Sequence, residues 1–143
     1  MLTADDFYWI ASVAIFAPWI ALLFAPRWKH TELFVFGFAV VLLFGAAFFT
    51  FRHLFSPLES GSLLTLEGLT NLFRSKNMLL TGWLNYLSFC LLAGLWVSRD
   101  GRELKLAPWL IAIPLLLIMI TGPAGLLAYL LIRFAKTRRW DIQ

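Results

Sequence analysis

Charge is scarce in this chain. Only 14% of its 143 residues are Asp, Glu, Lys or Arg, against about 25% in a soluble domain. A core of this size cannot absorb the 61% of residues that are hydrophobic, so the excess must face lipid or a large protein partner. Cysteine occurs once and histidine twice. One cysteine excludes an intrachain disulfide, and no His-x-x-x-His or Cys-x-x-Cys pair exists to start a zinc or di-iron site. No metal site is expected. Phosphate loops and serine-nucleophile motifs are missing as well. The net charge is +4, with basic residues at the ends of apolar runs. That placement suits topology signals and lipid headgroups, and no nucleic-acid partner is expected.

What is present is apolar sequence in four blocks, with a mean hydropathy of +0.81. They predict an all-α fold: a four-helix transmembrane bundle, one polytopic membrane domain over residues 1–143, with spans at about 7–25, 33–51, 78–97 and 108–134. The first block lacks a basic n-region and a small-residue cleavage site, so it reads as a retained span. Pro18 should kink it. Trp9 and Trp28 stand nineteen residues apart, about 28 Å along a helix, which suits two interfacial belts. In the second block Phe44, Phe48, Phe51 and Phe55 share one helix face, and Gly37 and Gly45 allow close approach of a neighbour. Between the second and third blocks, Ser56-Pro57 and Gly61 mark a turn. Leu63, Leu66, Leu69, Leu72 and Phe73 then recur at near-helical spacing, predicting a short amphipathic helix in the membrane interface. Asp100-Gly101 predicts a turn after the third block. Pro114 and Pro123 interrupt the fourth, and Gly122-Pro123-Ala124-Gly125 offers a bend and a close-packing patch.

Four spans place both ends of the chain on one side. Seven basic residues would then collect there against five on the other side, so both termini are expected in the cytoplasm.

The third block carries the candidate site. It is uncharged over residues 78–97, yet holds Thr81, Asn85, Ser88 and Cys90. An amide inside a bilayer is costly without a partner. Asn85, Tyr86 and Ser88 are the candidate cofactor- or ligand-binding residues; a hydrogen bond from Asn85 to a neighbouring helix is the alternative. Cys90 has nothing basic within a helical turn to activate it, and reads as a small buried hydrophobe. His30 and His53 read as interfacial anchors, although one histidine suffices for a single axial bond to a haem or chlorophyll. No carboxylate falls inside an expected span, which argues against proton-coupled transport. Bends at Pro18, Pro114 and Pro123 around a cavity would suit a small-molecule carrier, the weakest of the readings. Aromatic residues, at 17%, can wall in a conjugated ligand or simply face lipid.

Several segments resemble one family in order along the chain. Trp19-Ile20-Ala21-Leu22-Leu23-Phe24-Ala25-Pro26-Arg27-Trp28 is similar to the end of the first helix in the ABA4-like (abscisic acid deficient 4-like) family. Thr65-Leu66-Glu67-Gly68-Leu69-Thr70-Asn71-Leu72-Phe73 resembles its loop signature. Gly82-Trp83-Leu84-Asn85-Tyr86-Leu87-Ser88-Phe89 resembles the opening of its third helix, and Gly122-Pro123-Ala124-Gly125-Leu126-Leu127-Ala128-Tyr129 its last. The resemblance implies a four-helix membrane protein connected with carotenoids, the plant members being linked to neoxanthin formation from violaxanthin. It also implies a histidine, an aspartate and an arginine in the third helix, where this chain has Asn85, Cys90 and Leu95. Opening an epoxide needs an acid and moving a proton along a polyene needs a base. With those positions neutral, no catalytic residue is assigned. The expected role is a non-catalytic accessory or structural subunit of a larger membrane assembly, in contact with the lipid bilayer, with no cofactor assigned but open to contact with a carotenoid or (bacterio)chlorophyll of a photosynthetic complex. The alternative is a membrane enzyme of carotenoid metabolism that rearranges an epoxycarotenoid.

Overall fold

The computed structural model describes residues 3–54 and 64–137, without the side chains of 52–54. The expected features at Phe55, Ser56-Pro57, Gly61, Leu63 and the His53 side chain lie outside the described residues. Among those described, all regular structure is helical: α1 (Ala4–Ala14), α2 (Phe16–Phe24), α3 (Thr31–Leu54), α4 (Leu66–Phe73), α5 (Lys76–Glu103), α6 (Pro108–Thr121) and α7 (Pro123–Thr137). Three stretches are long and apolar enough to cross a membrane: Ala4–Phe24, Thr31–Phe51 and Lys76–Glu103. The chain divides into two compact units, Met1–Phe16 with Gly37–Ser88 and Ala17–Phe36 with Phe89–Gln143.

In the first unit, α1 opens on a capping box. The Thr3 hydroxyl accepts the Asp6 N–H, and the Asp6 carboxylate accepts the Thr3 N–H at 2.8 Å, satisfying donors a helix start leaves orphaned. Small residues Ala11, Ala39 and Ala46 are buried beside Leu42, Leu80 and Leu84. A Cβ on Gly45 would meet Leu84 at 3.4 Å, whereas Gly37 has open space around it. Close approach therefore uses Gly45 and leaves Gly37 idle. Phe44, Phe48 and Phe51 are all exposed, as one outward face requires. Helix α4 is the expected short amphipathic helix. Thr65 caps it through the Gly68 N–H, and Phe73 lies over Gly82 of α5.

The break between α1 and α2 falls at Ile15, at the end of the first unit's N-terminal segment and three residues before Pro18. Pro18 has no N–H for the Ala14 carbonyl, so the ladder fails one turn upstream. Ile15 keeps helical angles, φ −60° and ψ −25°; the second unit begins at Ala17. The α2–α3 turn closes when the buried Thr31 hydroxyl donates to the Ala25 carbonyl at 2.7 Å. Trp19, Leu22, Val35, Leu91 and Val97 form the core around it.

Two expectations fail in this unit. Asp100-Gly101 is no turn: α5 continues through both to Glu103. Gly101 is chosen for space, since a Cβ there would meet the Ile111 side chain at 2.7 Å, and tertiary packing overrides local turn preference. The helix ends later, where the Leu106 N–H donates to the Gly101 carbonyl at 2.9 Å and the Lys105 N–H to that of Arg102 at 3.0 Å. This is a Schellman motif with Lys105, φ 52°, in the place usually held by glycine. Nor do the prolines divide the fourth apolar block. α6 runs unbroken through the buried Pro114, and Pro123 takes the first position of α7, where its missing N–H is harmless. The division is at Gly122, with φ 58° and ψ −90°, angles close to those of a γ-turn and open chiefly to glycine. Beyond it α7 folds back on α6. A Cβ on Gly125 would lie 2.2 Å from the backbone nitrogen of Ile118, so only glycine permits the two helices to touch there. The close-packing role expected of Gly122-Pro123-Ala124-Gly125 is what the geometry displays.

Candidate functional site

The three residues proposed as a binding site, all on α5 in the first unit, do not converge. The Ser88 hydroxyl is buried and donates within its own helix, to the Leu84 carbonyl at 2.6 Å and that of Asn85 at 3.2 Å. The Asn85 side chain is exposed. Tyr86 is half-buried, its ring stacked on Trp83 at 5.7 Å between centroids. The backbone explains the divergence: consecutive α-helical residues are turned by about 100°, so Asn85 and Tyr86 face different ways.

Tyr86 belongs instead to an aromatic cleft of about 610 Å³ with Tyr8, Phe73 and Trp83, whose rim holds Asp5 and Lys76. The indole N–H of Trp83 donates to Ser12 Oγ at 3.1 Å, which fixes the ring. The Lys76 ammonium pairs with Asp5 at 2.9 Å, and both side chains are largely exposed. A larger groove, about 760 Å³, is lined by Phe7, Phe38, Phe44, Phe48 and Phe49 along with aliphatic residues of α1, α3 and α5. Among the described residues its one polar side chain is that of Asn77. The walls of this larger groove accept an elongated apolar or conjugated molecule, and among the described residues they offer it no titratable group.

The second unit contains what the sequence did not reveal, a buried acid–base cluster. Asp100 of α5 and Arg133 of α7 pair at 3.0 Å, each with a side chain only 9% exposed. The fully buried Tyr129 donates its hydroxyl to the same Asp100 Oδ2. The ring of Trp96 stands edge-on to Tyr129 at 5.4 Å. Trp96 and Asp100 are one turn apart on α5, as are Tyr129 and Arg133 on α7, so two i, i+4 pairs interlock. Beside them Arg102 donates to the Pro26 carbonyl and pairs with Glu32 at 2.5 Å, tying the end of α5 to the α2–α3 turn. Because Asp100 was read as a turn residue, the carboxylate was placed outside the helices. The usable signal was the matched spacing of Trp96/Asp100 and Tyr129/Arg133.

Cys90 is buried and unbonded to another sulfur. His30 is exposed, its ring edge-on to Trp28. Among the described residues no group of three or more His, Cys, Asp or Glu side chains is placed to hold a metal ion.

Comparison with curated proteins and with solved structures gives no match. A family model described as ABA DEFICIENT 4-like matches residues 7–129, most of the chain, from within α1 through α6 and the Gly122 turn to Tyr129 of α7. The apolar helices, the Gly122-Pro123-Ala124-Gly125 turn and this match agree, and the chain belongs to the ABA4-like family.

Proposed function

We propose that the protein is a non-catalytic accessory subunit of a larger membrane assembly, able to hold an elongated apolar molecule such as a carotenoid or the tail of a (bacterio)chlorophyll. One observation carries this reading. The buried acid and base, Asp100 and Arg133, engage each other, and the tyrosine hydroxyl takes the same carboxylate oxygen, while among the described residues no titratable side chain lines the large groove. Chemistry on a polyene requires a proton donor or acceptor within reach of it. The outward faces support the accessory role. Of the most apolar part of the first and second long stretches only 28% and 22% is buried within the chain, leaving Trp9, Phe24, Leu33 and Phe36 for lipid or a partner. Gentle solubilisation from native membranes tests it. The protein is expected to migrate with a larger assembly; a lone 16.3 kDa species would refute the subunit role.

A second reading, rearrangement of an epoxycarotenoid, is favoured by the aromatic cleft, where Tyr8, Tyr86, Asp5 and Lys76 stand around one space. Incubating the folded protein with violaxanthin in liposomes decides between the two. Formation of a rearranged product, abolished by Tyr86→Phe or Lys76→Met, would replace the accessory reading.

A further inference from the structure

We infer that the chain crosses the bilayer three times, with α6 and α7 forming a re-entrant hairpin that enters and leaves on the cytoplasmic side. The start of α1 and the end of α7 then lie on opposite sides, with the end of α7 in the cytoplasm. The Asp100–Arg133 pair decides this. Asp100 is three residues from the end of α5, and Arg133 four from the end of α7. Were α6 and α7 one straight crossing, Arg133 would stand about 38 Å along the axis from Pro108, at the far side of a hydrocarbon core about 30 Å thick. Instead its guanidinium is 3.0 Å from Asp100.

Two further observations agree. Ile111 and Tyr129 would be about 27 Å apart in a straight helix, yet both come within 4 Å of a Cβ built on Gly101. At the turn, Gly125 lies directly on the Ile118 backbone. The arms have 14 and 15 residues, about 21 and 22 Å, too short for a full crossing. The other three apolar stretches have 21, 21 and 28 residues and reach about 30 Å or more.

Charge orients the result. With three crossings, Arg52, Arg74 and Lys76 fall on one side. Arg27, Lys29, Arg99, Arg102, Lys105, Arg133 and Lys136 fall on the other, seven against three among the described residues. With Arg138 and Arg139 of the full sequence counted as well, three crossings give nine against three, whereas a straight fourth crossing would give five against seven. Lys and Arg near span ends favour the cytoplasm, so the hairpin's side is cytoplasmic. Asp5 and Asp6, at the start of α1, face out.

Cysteine accessibility tests this in the full chain. Single substitutions Thr3→Cys, Lys29→Cys, Lys105→Cys and Lys136→Cys are placed in a Cys90→Ala background and treated with a membrane-impermeant maleimide in intact cells and after permeabilisation. If Cys90→Ala fails to fold, Cys90 is retained, since its burial keeps it from the reagent. Thr3→Cys is expected to label in intact cells, and the other three only after permeabilisation. Lys136→Cys labelling from the same side as Thr3→Cys would overturn the hairpin. Opposite sides with Lys136→Cys outside would overturn the cytoplasmic assignment.

Discussion

Removing Asp100 should be far more damaging than removing Asp100 and Arg133 together. Each side chain is 9% exposed, so Asp100→Ala leaves a guanidinium in a low-dielectric site with its partner gone. Breaking a buried pair in this way costs about 3–5 kcal/mol. The same substitution strands the hydroxyl of Tyr129, which is fully buried and donates to Asp100. An unsatisfied buried donor adds about 1–3 kcal/mol where it finds no other acceptor. Taking the pair term alone, the folding equilibrium should fall by about two to three and a half orders of magnitude. Asp100→Leu combined with Arg133→Met replaces both charges with apolar groups, and the pair term then shrinks to about 1 kcal/mol or less, since such replacements are often neutral; the Tyr129 hydroxyl loses its acceptor in both variants, so that cost cancels in the comparison. Tyr129→Phe alone should cost about 1 kcal/mol. Unfolding in mixed micelles of mild detergent and SDS, followed by tryptophan emission, measures all three; Trp96 sits on Tyr129 and reports the site. If Asp100→Ala costs no more than the double replacement, the cluster is not a clasp and the reasoning fails.

Three glycine-related positions give sharper tests of packing. Gly125→Ala puts a methyl 2.2 Å from the Ile118 nitrogen; the hairpin must part, with a loss of about 3 kcal/mol or more, and protease resistance of α7 in detergent should drop. Gly94→Ala meets the Trp19 ring at 2.9 Å, and Trp19 is buried at 2% exposure. It should cost about 1–3 kcal/mol by overpacking, and Trp19→Phe should recover part of that thermal stability in the double variant. Lys105→Gly relieves a left-handed residue at the end of α5 and should raise stability by up to about 1 kcal/mol; a lower melting temperature would mean the Lys105 side chain holds something that its backbone angle conceals.

Much of the fold is legible in residue order, because apolar block length and proline chemistry act locally. Pro18 announces the break at Ile15, the spacing of Leu66, Leu69, Leu72 and Phe73 announces α4, and Phe44, Phe48 and Phe51 share an outward face as their spacing requires. What the sequence hides depends on contacts between distant residues. Asp100-Gly101 has the composition of a turn, but Ile111 and Tyr129 demand a small residue and a carboxylate there, and the helix continues. The 27 residues 108–134 look like one long span because hydropathy is blind to direction: only the Gly122 backbone angles and the Gly125–Ile118 contact reveal the reversal. The candidate site suffered likewise. Asn85 and Ser88 were singled out for polarity inside an apolar run, yet Ser88 satisfies itself on its own helix, while Asp100, Tyr129 and Arg133 become a site only once α7 folds back.

The hairpin and the buried cluster explain each other. A turn that reverses two short apolar helices gains little from apolar contact where lipid competes for the same surfaces, and α6 and α7 carry few small residues besides Ala124, Gly125 and Ala128 near the reversal. Something else must fix the far ends of the arms. Arg133 on Asp100 does so at the open end, four residues from the end of α7, while Gly125 on Ile118 does so at the closed end. An ionic clasp suits the open end because an Arg133 left buried without Asp100 is costly where it stands, and that cost drives the end of α7 outward, toward where its guanidinium can reach headgroups. The Asp100→Ala variant should therefore expose the end of α7 more than its turn. Proteolysis at Arg133 and Lys136 should accelerate before Gly125 and Ile118 separate, and simultaneous loss of both would show that the hairpin is held as one rigid piece.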